Sequence, residues 1–148
     1  MTIEIPLRAR PAGDAGYLEE MTKAIFRSGF SWQVIRDKWP NFQRAFGDFV
    51  VERVADYDDR DVDRLLADPG IVRNGRKIEA TIQNARQMRT LIARHNSFFS
   101  YLRTLDGQSY SARRAELCRR FRQMGPTAAF VFLYCVDEEV PAWQDRNL

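Results

Sequence analysis

Cysteine and histidine are nearly absent: Cys118, Cys135 and His95 are all the chain contains. A closed zinc site takes four ligands, which one histidine and two distant cysteines cannot supply. The two cysteines have no Cys or His at ligand spacing and read as reduced, structural residues, so neither a metal nor any other cofactor is expected. No window approaches the roughly 18 apolar residues of a membrane span. Met1 to Pro6 has neither the basic nor the apolar region of a signal peptide, and the expected location is cytoplasmic. No stretch alternates with period two long enough to make a strand, and there is no internal repeat or low-complexity tract.

What remains is ordinary for a globule. The 148 residues are 45% apolar and 29% charged, enough for one domain with a real core. The net charge of +3 is unevenly spread. Arg and Lys recur from Arg73 to Arg122 against only Glu79, Asp106 and Glu116, whereas the stretch from Asp56 to Asp68 is acidic. Such asymmetry fits a polyanionic partner on one face, or a solvated basic surface with no partner.

Residues 1–13, with Pro6 and Pro11, read as an irregular arm, and 14–148 as one helical domain. Asp14 is the expected N-cap of a helix carrying Tyr17, Leu18, Met21, Ala24, Ile25 and Phe26 up to Gly29. Ser31 opens a second helix expected to stop before Pro40, followed by a turn or two over Asn41 to Phe46. Short helices are expected around Val50 to Ala55 and from Asp58 or Asp59 to Leu66. A long stripe of Ile78, Ile82, Ala85, Met88, Leu91 and Ile92 predicts a long helix. Phe98 to Leu105, Ser111 to Phe121, and an apolar helix capped by Thr127 complete the chain. Ala128 to Tyr134 has strand-like composition but no partner strand, so the fold class is all-α.

Between two of these helices lies Asp68-Pro69-Gly70-Ile71-Val72-Arg73-Asn74-Gly75-Arg76-Lys77. Pro69 and Gly70 end one helix, and Asn74-Gly75 supplies a position tolerant of positive φ just before the next begins. Free N–H groups, the positive end of a helix dipole, and Arg73, Arg76 and Lys77 then converge, an arrangement that suits a phosphate. An ordinary helix corner with a solvated basic face is the alternative.

Three segments in this order resemble the bacterial DNA-3-methyladenine glycosylase I family of helix-hairpin-helix DNA glycosylases. Ser28-Gly29-Phe30-Ser31-Trp32 is similar to the family's Ala-Gly-Leu-Ser-Trp. Phe42-Gln43-Arg44-Ala45-Phe46 and Asp61 to Leu66 follow. Gly70-Ile71-Val72-Arg73, Arg76-Lys77-Ile78 and Asn84-Ala85 are similar to the family's Gly-Ile-Ile-Arg, Gly-Lys-Ile and Asn-Ala. The resemblance covers roughly Tyr17 to Ala93. It implies a helix-hairpin-helix fold, a compact domain of two helical lobes around a cleft. The hairpin residues Gly70, Ile71, Arg73, Asn74, Gly75, Arg76 and Lys77 would grip phosphates of double-stranded DNA, and the cleft would receive a flipped damaged base. Trp32 matches the family's pocket tryptophan, and Tyr17 and Phe26 are near enough in sequence to join it. Packing in the core is the other role open to these aromatics.

The family's pocket glutamate lies eight residues before the tryptophan, where this chain has Ala24. Its zinc ligands and N-terminal aromatic segment are also missing. Between Lys77 and Leu105 the only carboxylate is Glu79, in the first turn after the hairpin, so the catalytic aspartate of other helix-hairpin-helix glycosylases has no counterpart and Lys77 is a poor Schiff-base lysine. Glu20, one helical turn before Ala24, is the candidate carboxylate, with Glu19 beside it; an exposed first turn stabilised by the dipole is its other reading. His95 sits at a helix end, where a structural or phosphate-contacting role is commoner than catalysis. The leading expectation is a monofunctional glycosylase acting as a monomer on an alkylated purine in double-stranded DNA. A catalytically inactive DNA-binding module is the second, and a helical interaction protein without nucleic acid the third.

Overall fold

The computed structural model describes residues 5–147. Eight α-helices follow one another: α1 Asp14–Arg27, α2 Trp32–Ala45, α3 Val51–Ala55, α4 Asp59–Leu66, α5 Gly75–His95, α6 Phe98–Arg103, α7 Tyr110–Arg120 and α8 Pro126–Cys135. Short 3-10 turns occupy Gly47–Phe49 and Trp143–Asp145. Among the described residues there is no strand, and no helix is long and apolar enough to cross a membrane. The strand-like run Ala128 to Tyr134 is helical, as α8; its residues are buried almost all round, which removes the periodic signature of a helix.

Helices α1 and α5 pack on each other and form a shared spine. On one side lie α2, α3 and α4; on the other, α6, α7 and α8. Each side has its own aromatic cluster. Trp39 stacks on Phe42 at 4.9 Å and on Phe49 at 5.3 Å, and Phe46 extends the stack. On the far side Phe98 meets Tyr17 at 5.1 Å, and Tyr101, Phe121 and Phe132 surround it.

Several helix boundaries differ from the sequence expectation. α2 does not stop before Pro40 but runs through it to Ala45. An internal proline costs about 3 kcal/mol. Each buried aromatic of 150–250 Å² returns about 4–6 kcal/mol at roughly 25 cal/mol per Å², and Trp39, Phe42 and Phe46 flank the proline within the core. The helix therefore tolerates it. Asp14 is the first residue of α1 rather than its cap, which is Gly13. Its carboxylate accepts from the Phe98 N–H at 2.9 Å, joining the start of α1 to the start of α6. α8 likewise begins at Pro126, with Gly125 rather than Thr127 at the cap position. At the other end of α5, Asn96 adopts the left-handed conformation at φ 73° and terminates the helix.

Candidate DNA interface and base pocket

The hairpin between α4 and α5 is fixed by side-chain caps. Asp58 accepts from the Arg60 and Asp61 N–H groups, and Asp61 accepts from the Asp58 N–H, a reciprocal box that starts α4. After α4, the Asp68 carboxylate accepts from Gly70 N–H at 2.8 Å, and the Gly70 carbonyl accepts from Asn41 Nδ2 at 2.9 Å. A Cβ on Gly70 would lie 3.1 Å from the Asp68 carboxylate and 3.2 Å from Asn41, so the close approach of the Asp68 cap and of α2 favours glycine here. Ile71 is buried and anchors the turn in the core.

Positive φ, expected at Asn74-Gly75, is not used: Asn74 has φ −94° and its side chain accepts from Lys77 N–H at 3.1 Å as the N-cap of α5. Gly75 is the first helical residue. The N–H groups of Gly75 and Arg76, at the start of a 21-residue helix, thus have no partner within that helix and lie beside the exposed Arg73 and Arg76 side chains. Lys77 is placed differently from those two. It is buried, and its ammonium donates to the carbonyls of Ser28 and, at 3.5 Å, Phe26, with the Phe30 ring 5.4 Å away. Burial lowers its pKa. Lys77 joins α5 to the C-terminal end of α1, where a cation suits the dipole.

Beyond that junction, a cavity of about 530 Å³ opens among Glu20, Lys23, Trp32, Arg36, Trp39 and Cys135, with Ile5, Pro6, Leu7 and Ala9 of the arm along one wall. The arm is held there by the Ala9 N–H donating to Cys135 O at 3.0 Å and by Arg8, which pairs with Asp137 at 3.3 Å, donates to the Glu138 carbonyl and lies over Tyr134. Trp39 Nε1 and Gln43 Nε2 both donate to Glu19 Oε2, at 2.9 and 2.8 Å, fixing the indole. Arg27 lies 5.0 Å from the Trp32 ring centroid and 5.6 Å from that of Trp143. Glu20 Oε1 is 3.3 Å from Lys23 Nζ, and that ammonium is 5.2 Å from the centre of the Trp39 ring. Burial raises the pKa of Glu20, with Lys23 opposing. The Cys135 thiol is pushed up to about 12, first by burial and then by the Glu20 charge, so it is neutral.

Glu20 and Trp32 therefore share one cavity, while Tyr17 and Phe26 do not line it. Phe26 packs edge-on against Phe42 at 4.9 Å in the core. Tyr17 belongs to the Phe98 cluster, where burial raises its pKa and its hydroxyl has no hydrogen-bond partner. Ala24 is buried and brings no polar group. Lys23, Arg36, Trp39, Cys135 and the arm were not anticipated as pocket residues. The i, i+3 spacing of Glu20 and Lys23 was the available signal. His95 packs at 5.7 Å from Tyr101, away from the cavity. A larger, more polar cleft of about 830 Å³ lies between the α6–α7 loop and the turn after α8. Its lining holds no tryptophan, and Arg103 is already paired there with Asp106 and Glu138. Among the described residues no three His, Cys, Asp or Glu side chains are grouped to hold a metal.

The methyladenine glycosylase family model matches residues 9–131 of this chain, a span that contains both the hairpin and the α1 and α2 helices that line the cavity. The chain belongs to that family. DNA-3-methyladenine glycosylase 1 of Escherichia coli (strain K12) is 40% identical over 60 residues, which make up 40% of this chain and 32% of that protein. A crystal structure of 3-methyladenine DNA glycosylase I superposes with a TM-score of 0.76 at 26% identity, covering 86% of this chain and 81% of that one. The Staphylococcus aureus enzyme, solved for 3-methyladenine recognition, shares the fold with a TM-score of 0.73 at 24% identity, over 89% of this chain and 78% of that one.

Proposed function

We propose that this family member is a monofunctional DNA N-glycosylase that removes a flipped alkylated purine, 3-methyladenine, from double-stranded DNA, acting as a monomer in the cytoplasm. The observation that carries the reading is the convergence of Trp32, Trp39 and the Glu20 carboxylate on one cavity, built on the α1 and α2 helices to which Lys77 and Asn41 tie the hairpin. Backbone amides of Gly75 and Arg76, with Arg73 and Arg76, hold phosphates without reading sequence. The extruded base stacks on an indole, which offsets the stacking lost in the duplex. An N3-alkylated purine is already cationic. Its C1′–N9 bond breaks with both electrons passing to the purine, which leaves neutral, while water adds to C1′ and releases a proton. Glu20 lies one turn from the position of Ala24 and offers a charge opposite to that of the bound cation.

An excision assay on DNA carrying 3-methyladenine tests this. Base release that depends on Trp32 supports the proposal; no release at any protein concentration sinks it. Two observations favour a second reading, a DNA-binding module without chemistry: alanine at position 24, and Lys23 already paired with the cavity's carboxylate. That reading predicts salt-sensitive DNA binding with no base release.

A further inference from the structure

The fold brings together two ends of the basic half of the chain that are remote in sequence. Asn84, on α5, is almost completely buried at 1% exposure. Both ends of its amide are used on a single residue of the loop between α7 and α8: Nδ2 donates to the Arg122 carbonyl at 3.1 Å and Oδ1 accepts from the Arg122 N–H at 2.7 Å. Gln123 follows with φ +56°, an unfavourable conformation for a residue with a side chain, held by that clamp. A buried amide satisfied in this way fixes the loop against α5.

The clamp sets the exposed Arg122 and Gln123 beside Arg76 and Gln83 in a groove of about 180 Å³, whose only acidic side chain is Glu79. A second groove of about 490 Å³ shares Gln83, Arg122 and Gln123 and continues along α5 past Gln87 to Arg119. Arg119 and Arg120 are paired with Glu116, which leaves Arg122 as the cation that the clamp presents. Arg76 belongs both to this groove and to the hairpin.

We infer that the Arg76–Arg122 groove is a second phosphate-binding track, continuous with the hairpin, that holds the backbone of duplex DNA next to the phosphates gripped at the start of α5. Guanidinium forks and amide donors along an open groove suit a sugar-phosphate chain and carry no means of reading bases. The inference rests on the DNA-binding part of the function proposed above, not on base release.

The test is fluorescence-anisotropy titration of the full chain with a short duplex containing an abasic-site analogue, over a salt series, for wild type, Arg122→Gln, Arg122→Lys, Arg73→Gln and the exposed control Arg94→Gln. Losing one phosphate contact lowers the slope of log K against log salt by about 0.9, or roughly tenfold in affinity near 50 mM salt. Arg122→Gln should show that loss, Arg122→Lys should recover most of it, and Arg94→Gln should stay within about twofold of wild type. If Arg122→Gln matches Arg94→Gln while Arg73→Gln still weakens binding, the groove is overturned and the hairpin stands. If wild type shows no salt-dependent DNA binding, both fall. If the slopes change as expected while the excision assay on 3-methyladenine DNA shows no release, the groove stands and the enzymatic reading falls.

Discussion

The hairpin offers backbone amides at a helix start and two exposed guanidiniums, whereas around the cavity Glu19, Glu20, Trp39 and Arg27 already have partners within the protein. The hairpin needs only a turn of the right shape, supplied by Asp68, Gly70, Asn41 and Asn74. The cavity needs side chains from α1, α2, α8 and the arm to meet. A change at one of these positions alters what the pocket can hold, and a grip made of main-chain groups tolerates change better. Under the proposed function, the hairpin can keep its grip in a chain whose cavity carboxylate, Glu20, stands one helical turn before Ala24.

The largest effect that separates the two regions should come from beneath the cavity. Phe42 is fully buried between Trp39, Phe26 and Phe46. Phe42→Ala should cost about 3–5 kcal/mol. Thermal denaturation should show a midpoint lower by about 10 °C or more.

Glu20→Gln comes next. Losing a charged partner for a cationic base should slow excision about tenfold to hundredfold, with duplex affinity unchanged. The Glu20 pKa is raised by burial, so base release by the wild type should fall as pH drops through a range above that of an ordinary carboxylate, and the Gln variant should be flat there. Stability moves the opposite way. A carboxyl with a raised pKa contributes stability when protonated and loses it as pH rises. Glu20→Gln should therefore be more stable than wild type near neutral pH, and this advantage should vanish in acid.

Lys23→Met sharpens the same point with a smaller effect. Its ammonium competes with a cationic base for Glu20 and for the Trp39 face. Its removal should increase excision of 3-methyladenine about twofold to fivefold, the range of a partly exposed ion pair. The smallest effect should be at the junction of the two regions. Lys77→Met removes hydrogen bonds to Ser28 and Phe26 but also relieves a buried amine. Stability should change by about 1 kcal/mol, and duplex affinity by less than about twofold. A tenfold loss of duplex affinity would return Lys77 to the phosphate-binding surface.

The order of helices and the hairpin were legible because they rest on local rules: periodicity, caps and turn residues. The sharing of one cavity by Trp32 and Glu20 was implied by the family resemblance, which supplied the tryptophan and the position of Ala24, together with the 3.6-residue turn that sets Glu20 beside it. Phe26 could have been excluded by the same rule. It is six residues from Glu20, about 120° away around the helix, and so faces elsewhere. Tyr17 is only about 60° from Glu20, and periodicity admits it. What removes it is Phe98, a contact 81 residues away that no local pattern reveals. The same holds for Trp39, Cys135 and the arm, which enter the cavity through long-range packing. Pro40 misled for a related reason, since its local cost is outweighed by aromatics whose burial depends on the whole fold.

The most direct test of the account is to measure base release at saturating enzyme, and duplex affinity, on the same DNA carrying 3-methyladenine, for Trp32→Ala and Arg73→Gln. Stacking on an aromatic contributes about 1–3 kcal/mol per base. Trp32→Ala should thus lose tenfold or more in the rate of release and little in affinity. Arg73→Gln should lose affinity and keep the saturated rate. Equal losses in both quantities for both variants would contradict a division between a gripping hairpin and a base-holding cavity.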